Sequence, residues 1–360
     1  MKRIVLFILV LLFSLVCLWF TFRDVEFSTF WATISEKASA WPYFLAAGGV
    51  MMLNIIFRGF RYHRILASRP EVGLKRSITM TSIMFLGNAI LPFRAGEAIR
   101  VFLPFKFYRI PIPTSIAFHG ADRIFDMIAI LVMMALGLLF GGEGIAPEAR
   151  SQPVSILGSE YTVDQIINNV QRSSLVLLAV GLTGVFLVLF FPEPIKKLIR
   201  FFFKPFGETL TGKLTALVDH VHQGVAVFKS PIDFLLAGFW TVLVWWMVIL
   251  NVQILTSVYG HKLSWAEAGL VVVIVGFAVS APQAPGYIGP FQIGFKISLM
   301  LFGISSEIAL AVAWLAWFFQ IFPVTLLGFI CLFAEGLSMK SFGEAQEVVE
   351  HVVEEEHLSP

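Results

Sequence analysis

The stretch NAILPFRAGEAIR, residues 88–100, brings Arg94, Glu97 and Arg100 within seven residues at the end of an apolar run. An arginine fork donates two hydrogen bonds at once, which suits it to phosphate or carboxylate. Pro92 and Gly96 interrupt the helix between them, so backbone N–H groups are left free where the next half-helix starts. Helix N-termini attract anions. Asn88 adds a neutral donor and acceptor. Glu97 is placed to hold an arginine or to meet a cationic headgroup, and Arg100 to reach an interfacial one. An ordinary charge cluster at a membrane boundary would also look like this.

A second constellation is HGADRIFD, residues 119–126. Asp122 and Asp126 are four apart and share a helix face, with Arg123 beside them. Ionisable groups inside an apolar segment are costly and face a bundle interior or a cavity. Three roles fit: a brace for the first hairpin through Arg123 and Glu97, a proton-linked carboxylate, or interfacial charge. The third stretch is APQAPGYIGPFQIGFK, residues 281–296, where Pro285, Gly286 and Gly289 break the backbone. Gln283, Tyr287, Gln292 and Lys296 are its polar side chains. Lys296 fits a headgroup contact or a snorkelling cation equally well.

Other chemistries lack their residues. There is no P-loop, no H-E-x-x-H and no G-x-S-x-G elbow, and His220 and His222 have neither zinc spacing nor a partner. No cofactor, metal or nucleic acid is expected. Cys17 and Cys331 sit in apolar runs and read as small buried hydrophobes.

The elements that must position these residues are apolar. The 360 residues are 58% hydrophobic and 14% charged, with mean hydropathy +0.83. A soluble domain carries about a quarter charged residues. Runs of about 20 residues, enough to span, lie near 4–22, 41–63, 116–140, 173–191, 233–257 and 308–333. The first reads as a retained span, since no small-residue cleavage site follows it. The runs 77–91 and 267–281 are shorter, and each then breaks at proline and glycine. Short broken runs read as re-entrant hairpins, which survive at membrane depth only where protein or a water-filled cavity shields the backbone.

Basic residues cluster in 58–76, where Arg58, Arg61, Arg64, Arg69, Lys75 and Arg76 face Glu71 alone, and again in 193–232. The positive-inside rule then places both stretches and both termini in the cytoplasm. The expectation is an all-α polytopic membrane protein with six spans and two hairpins, eight full crossings being the alternative. A single membrane domain covers 1–340, with an interfacial linker at 193–229 and an acidic cytoplasmic tail at 341–360.

Pro92 precedes Gly96 by four residues, as Pro285 precedes Gly289, and the two pairs are 193 residues apart. Shifting 41–63 and 116–140 by about as much lands on 233–257 and 309–333. Span–hairpin–span thus occurs twice, about 41–140 and 233–333. The loop charges put the two units in opposite orientations, an inverted repeat of the kind found in transporters.

On NAILPFRAGEAIR, ADRIFD and APQAPGYIGPFQIGF the chain resembles the flippase-like integral membrane family. That family is also called the lysylphosphatidylglycerol synthase transmembrane region, or the YbhN-type family. The resemblance covers roughly residues 4–335. It implies lipid translocation in the cytoplasmic membrane, without the aminoacyl-transferase domain of bifunctional members, and leaves the lipid open. The residues carried over are Asn88, Pro92, Arg94, Gly96, Glu97 and Arg100, then Asp122, Arg123 and Asp126, then Pro285, Gly286 and Gly289. Tyr287 is bulkier than the small residue expected there.

Three functions compete. One is passage of a lipid with a phosphate-bearing headgroup, such as an aminoacyl-phosphatidylglycerol or a polyprenyl-phosphate-linked lipid, between the hairpins. The second is a membrane-embedded lipid-modifying transferase. The third is a non-catalytic partner of a separate lipid synthase.

Overall fold

The computed structural model describes residues 2–147 except 24, residue 151, the segments 153–156 and 159–162, and scattered positions at 176–187. It further describes 191–203, scattered positions at 207–219, and 230–348 except 281–284, 340, 346 and 347. The expected span 173–191, most of the linker beyond 203 and most of the tail therefore lie outside the described residues, as does Gln283.

The helices are α1 (Lys2–Phe22), α2 (Phe27–Ser35), α3 (Trp41–Ile65), α4 (Leu74–Ile90), α5 (Gly96–Tyr108), α6 (Ile112–Gly141), α7 (Pro192–Phe203), α8 (Pro231–Val258), α9 (Trp265–Ala278), α10 (Pro290–Leu301) and α11 (Ser306–Ala334). One short antiparallel hairpin, β1 (Pro153–Ile156) with β2 (Ser159–Thr162), interrupts this helical chain in the loop after α6.

Local signals set the ends. Ser230 caps α8 by accepting from the Ile232 N–H at 3.2 Å. Ser264 and Glu267 form a capping box on α9, which satisfies two otherwise orphaned donors. α5 stops at Arg109, whose φ of 56° is left-handed.

By length and composition, Ala38–Ser68, Ile112–Gly141, Pro231–Val258 and Ser306–Ala334 can each cross a membrane. On α11 the residues Phe318, Phe322, Leu326, Ile330 and Phe333 are all exposed. Their spacing of three and four makes one apolar stripe, which is the face that meets lipid. The chain is thus a polytopic helical membrane protein, and the expected runs 41–63, 116–140, 233–257 and 308–333 each coincide with a long helix.

The two short apolar runs are α4 and α9. Each ends in a tight turn, Pro92–Arg94 and Pro285–Tyr287, and each turn leads into a further helix. The turns match in backbone detail. Arg94 at φ 55° and Tyr287 at φ 63° are the third residue of each and are again 193 residues apart. A left-handed backbone is uncommon for residues other than glycine and is held only where the surroundings impose it. The glycines just past the turns allow close approach. A Cβ on Gly96 would collide with the Met84 carbonyl of α4, and one on Gly289 would stand 2.6 Å from the Ser14 carbonyl of α1.

Packing repeats too. α4 packs on α11 of the other unit, and α9 packs on α6 in return, while α3 and α8 form the central seam. Two asparagines bond across that seam reciprocally. Asn54 Nδ2 donates to the Val244 carbonyl at 2.6 Å, and Asn251 Nδ2 donates to the Ala47 carbonyl at 3.1 Å. Asn251 follows Asn54 by 197 residues, and Val244 follows Ala47 by the same number. Residue i meeting j while j's counterpart meets i's is the pattern of a two-fold interface. The pairing also makes α3 and α8 antiparallel, so the two units run in opposite directions.

Candidate functional site

Seven charged side chains meet where α3, α5 and α6 pack together. Arg61 of α3 is fully buried. Its Nε lies 2.9 Å from Asp122 Oδ1 and its Nη1 lies 2.7 Å from Asp126 Oδ1. Arg100 Nη1 is 3.1 Å from Asp122 Oδ2, and the guanidinium stands 4.0 Å from the Tyr62 ring centre. Arg123 Nη2 reaches Asp122 Oδ2 at 2.9 Å and Asp126 Oδ2 at 3.2 Å, and its Nη1 is 3.8 Å from Glu97. Arg58 Nη1 is 3.7 Å from Asp126, and its Nε donates to Asn54 Oδ1 at 2.9 Å. Trp245 of α8 donates to Asp126 Oδ1 at 3.2 Å. His119 Nε2 lies 2.6 Å from Glu97 Oε2, and Asn88 Nδ2 donates to Glu97 Oε1 at 3.4 Å.

Four arginines face three carboxylates. In a low-dielectric interior each charge needs partners, and here every carboxylate is held by at least one arginine. None of the three is left free for general base work. The surplus is one positive charge, and Arg94 adds another close by.

A cavity of about 230 Å³ opens beside this network. Arg58, Asn88, Arg94, Glu97, Arg123 and Asp126 form its polar wall. Val248, Val252, Val272, Val275, Phe291 and Phe295, carried by α8, α9 and α10, supply much of its apolar lining. Both turns reach it, the first through Arg94 and the second through Tyr287. Arg94 Nη2 donates to the Val279 carbonyl at 2.8 Å, so the first turn grips the end of α9 in the second hairpin.

The sequence-selected residues separate into two groups. Asn88, Arg94, Glu97, Arg123, Asp126 and Tyr287 line the cavity, and Asp122 sits directly behind it. Arg100 does not reach outward toward a headgroup; it is 1% exposed and turned into the network. Asp122 and Asp126 are buried, not interfacial, with Asp122 ten residues or about 15 Å along α6. Arg123 does approach Glu97. On the second hairpin, Gln292 Oε1 accepts from the Gly289 N–H at 2.8 Å and so caps its own helix. Lys296 Nζ donates to the Thr21 carbonyl at 2.8 Å and ties α10 to α1. Neither lines the cavity. The Tyr287 ring forms cavity wall, and the carbonyl of the preceding Gly286 accepts from Trp317 Nε1 at 2.6 Å.

Sequence reasoning missed Arg58 and Arg61, which it counted as cytoplasmic loop charges. They lie within α3 and belong to the network. The available signal was their position inside an apolar run that already read as a span. His119 and Trp245 were missed as well.

These features define a class: a membrane-embedded bundle of two oppositely directed span–hairpin–span units, whose broken hairpins meet at a cationic cavity. The chain belongs to the lysylphosphatidylglycerol synthase TM region family, whose model matches residues 7–328. Glycosyltransferase AglD of Haloferax volcanii is similar, at 26% identity over 289 residues. The match covers 73% of this chain and 44% of that protein, so the chain spans less than half of the relative's length. No solved structure matches the chain.

Proposed function

We propose that this protein is a transporter that moves an amphiphilic lipid with a phosphate-bearing headgroup across the cytoplasmic membrane, both termini facing the cytoplasm. The observation that carries the reading is the mixed lining of the cavity between the hairpins. Part of it offers Arg58, Arg94 and Arg123, and much of the rest is valine and phenylalanine. An anionic headgroup fits the first part and hydrocarbon the second. Arg94 is the principal contact, because its guanidinium fork can release the Val279 carbonyl and take two phosphate oxygens instead. The Asp122–Asp126 network holds Arg123 and Arg58 in place without neutralising the wall. The two hairpins enter from opposite faces of the bilayer and meet at this cavity. Movement of one unit against the other then exposes the headgroup to either side, lowering the cost of carrying charge through hydrocarbon. A separate lipid synthase is the natural supplier of the cargo.

Native mass spectrometry of lipids that co-purify in gentle detergent tests this. Wild type is expected to carry one enriched phosphate-bearing lipid, and Arg94→Ala to lose it by about tenfold, equivalent to about 1.4 kcal/mol. Bulk lipids only, unchanged by the substitution, would sink the headgroup role.

A second reading, a lipid-modifying transferase, draws on the name of the Haloferax volcanii relative. Its support is weakened by the three carboxylates, all committed to arginines. Product formation by purified protein, given a lipid-linked acceptor and a sugar donor and abolished in Asp122→Asn, would restore it.

A further inference from the structure

Two further cavities continue the cationic one. The first is about 70 Å³ and shares Arg58, Tyr287 and Gln320 with it. The second is about 270 Å³ and shares Ala89 and Ile321 with the first. This outer cavity lies between the two hairpins, with Ile90 on one side and Pro285 and Gly286 on the other. Its far wall is α11, through Trp317, Phe318 and Phe322. Phe318 and Phe322 are 44% and 54% exposed, and their rings stack 5.1 Å apart. They begin the lipid-facing stripe. The cationic chamber therefore opens sideways, through a neck, into an apolar groove on the membrane-facing side of the bundle.

The groove has nothing with which to recognise a headgroup. The Gly286 carbonyl beside it is already taken by the Trp317 indole. Everything else along it is hydrocarbon or aromatic ring except Thr325. What it shares with the chamber is continuity, and the two ends have the opposite polarities of an amphiphile. We infer that the groove is the tail site of the same ligand. One hydrocarbon chain leaves the chamber through the neck beside Tyr287 and Gln320 and lies on Trp317, Phe318 and Phe322. The headgroup stays among the arginines. The neck is the smallest of the three cavities, at about 70 Å³, and a single chain is the occupant that its size suits. The second chain of a two-chain lipid remains in the bilayer. This inference rests on the headgroup reading for the identity of the ligand, but not for the path.

The test uses full-length protein in phosphatidylcholine vesicles and two photoactivatable probes with the same diazirine-bearing tail. One probe is a phosphatidic acid and the other an uncharged diacylglycerol. Cross-linked residues are mapped by peptide mass spectrometry. Phosphatidic acid is expected to label Trp317–Phe322 about fivefold more than Phe333 on the same stripe, a preference of about 1 kcal/mol. Ile321→Trp fills the neck and should bring that ratio to near one. Ala89→Leu, a smaller plug from the opposite side, serves if the first variant does not fold. Uniform labelling along the stripe in a wild type whose lipid retention still depends on Arg94 would overturn the tail path and leave the headgroup reading standing. Groove labelling by both probes alike, lost on plugging but indifferent to Arg94→Ala, would keep the path and overturn the headgroup reading.

Discussion

The two hairpin turns have the same backbone and opposite chemistry. Pro92–Arg94 and Pro285–Tyr287 both place a non-glycine residue at positive φ, and both are followed by a glycine that admits a neighbouring backbone. Around the first turn stand Arg58, Arg61, Arg100, Arg123 and three carboxylates. Beside the second stand Ala89, Ile90, Trp317, Phe318 and Phe322; it meets the arginines only through Tyr287, and its lysine is turned away to the Thr21 carbonyl. The repeat thus specifies shape twice and charge once. Shape is set by where proline and glycine fall and by helix packing. Charge is set by a few side chains that only one half retains. The comparison separates what builds the cavity from what fills it.

The largest test of this division is Arg61→Leu. It removes a fully buried partner that Asp122 and Asp126 share, and breaking a buried pair costs about 3–5 kcal/mol. Thermal unfolding in detergent should show a pronounced drop, and a small one would mean that the network does not brace the first half. Gly96→Ala and Gly289→Ala come next. Both force a backbone apart, an overpacking cost of about 1–3 kcal/mol each. Similar losses in thermal stability would sharpen the backbone equivalence; a neutral result at either site would break it. Arg94→Ala against Tyr287→Phe tests the chemical contrast. Lipid retention should fall about tenfold in the first and stay within about twofold in the second, since a tenfold change needs about 1.4 kcal/mol and the phenol contributes ring surface. The smallest effect is expected for Lys296→Met. Lipid retention should be unchanged within about twofold, under 0.5 kcal/mol, and a larger loss would return Lys296 to the headgroup site.

The hairpins were legible because proline and glycine act locally: Pro92, Gly96, Pro285 and Gly289 mark breaks wherever the rest of the chain folds. The long helices were legible from apolar run length alone. The opposed orientation of the two units was also readable, from loop charge. The network was only half legible. Asp122, Arg123 and Asp126 stood out because ionisable residues in an apolar run have no bland place to go. Arg58 and Arg61 did not, because they abut Arg64 and Arg69, and a rule about loop charge absorbs all four. What distinguishes them is the continuation of α3 to Ile65 and the facing surface of α6, which only the tertiary structure supplies. Lys296 was ambiguous for the converse reason. A lone cation beside a broken hairpin suggests an anion, but the carbonyl of a helix far away in sequence reached it first.

The reciprocal asparagine bonds of the central seam limit how the halves can travel. The Asn54 and Asn251 bonds sit about two turns apart along the seam and reach across it in opposite senses. Sliding α3 along α8 by a single residue stretches both bonds together, and inside a bilayer no water waits to replace them. Tilting one helix against the other about the midpoint between the bonds changes each far less. The seam therefore has the character of an axle: it resists translation of one half past the other more than rotation about this line.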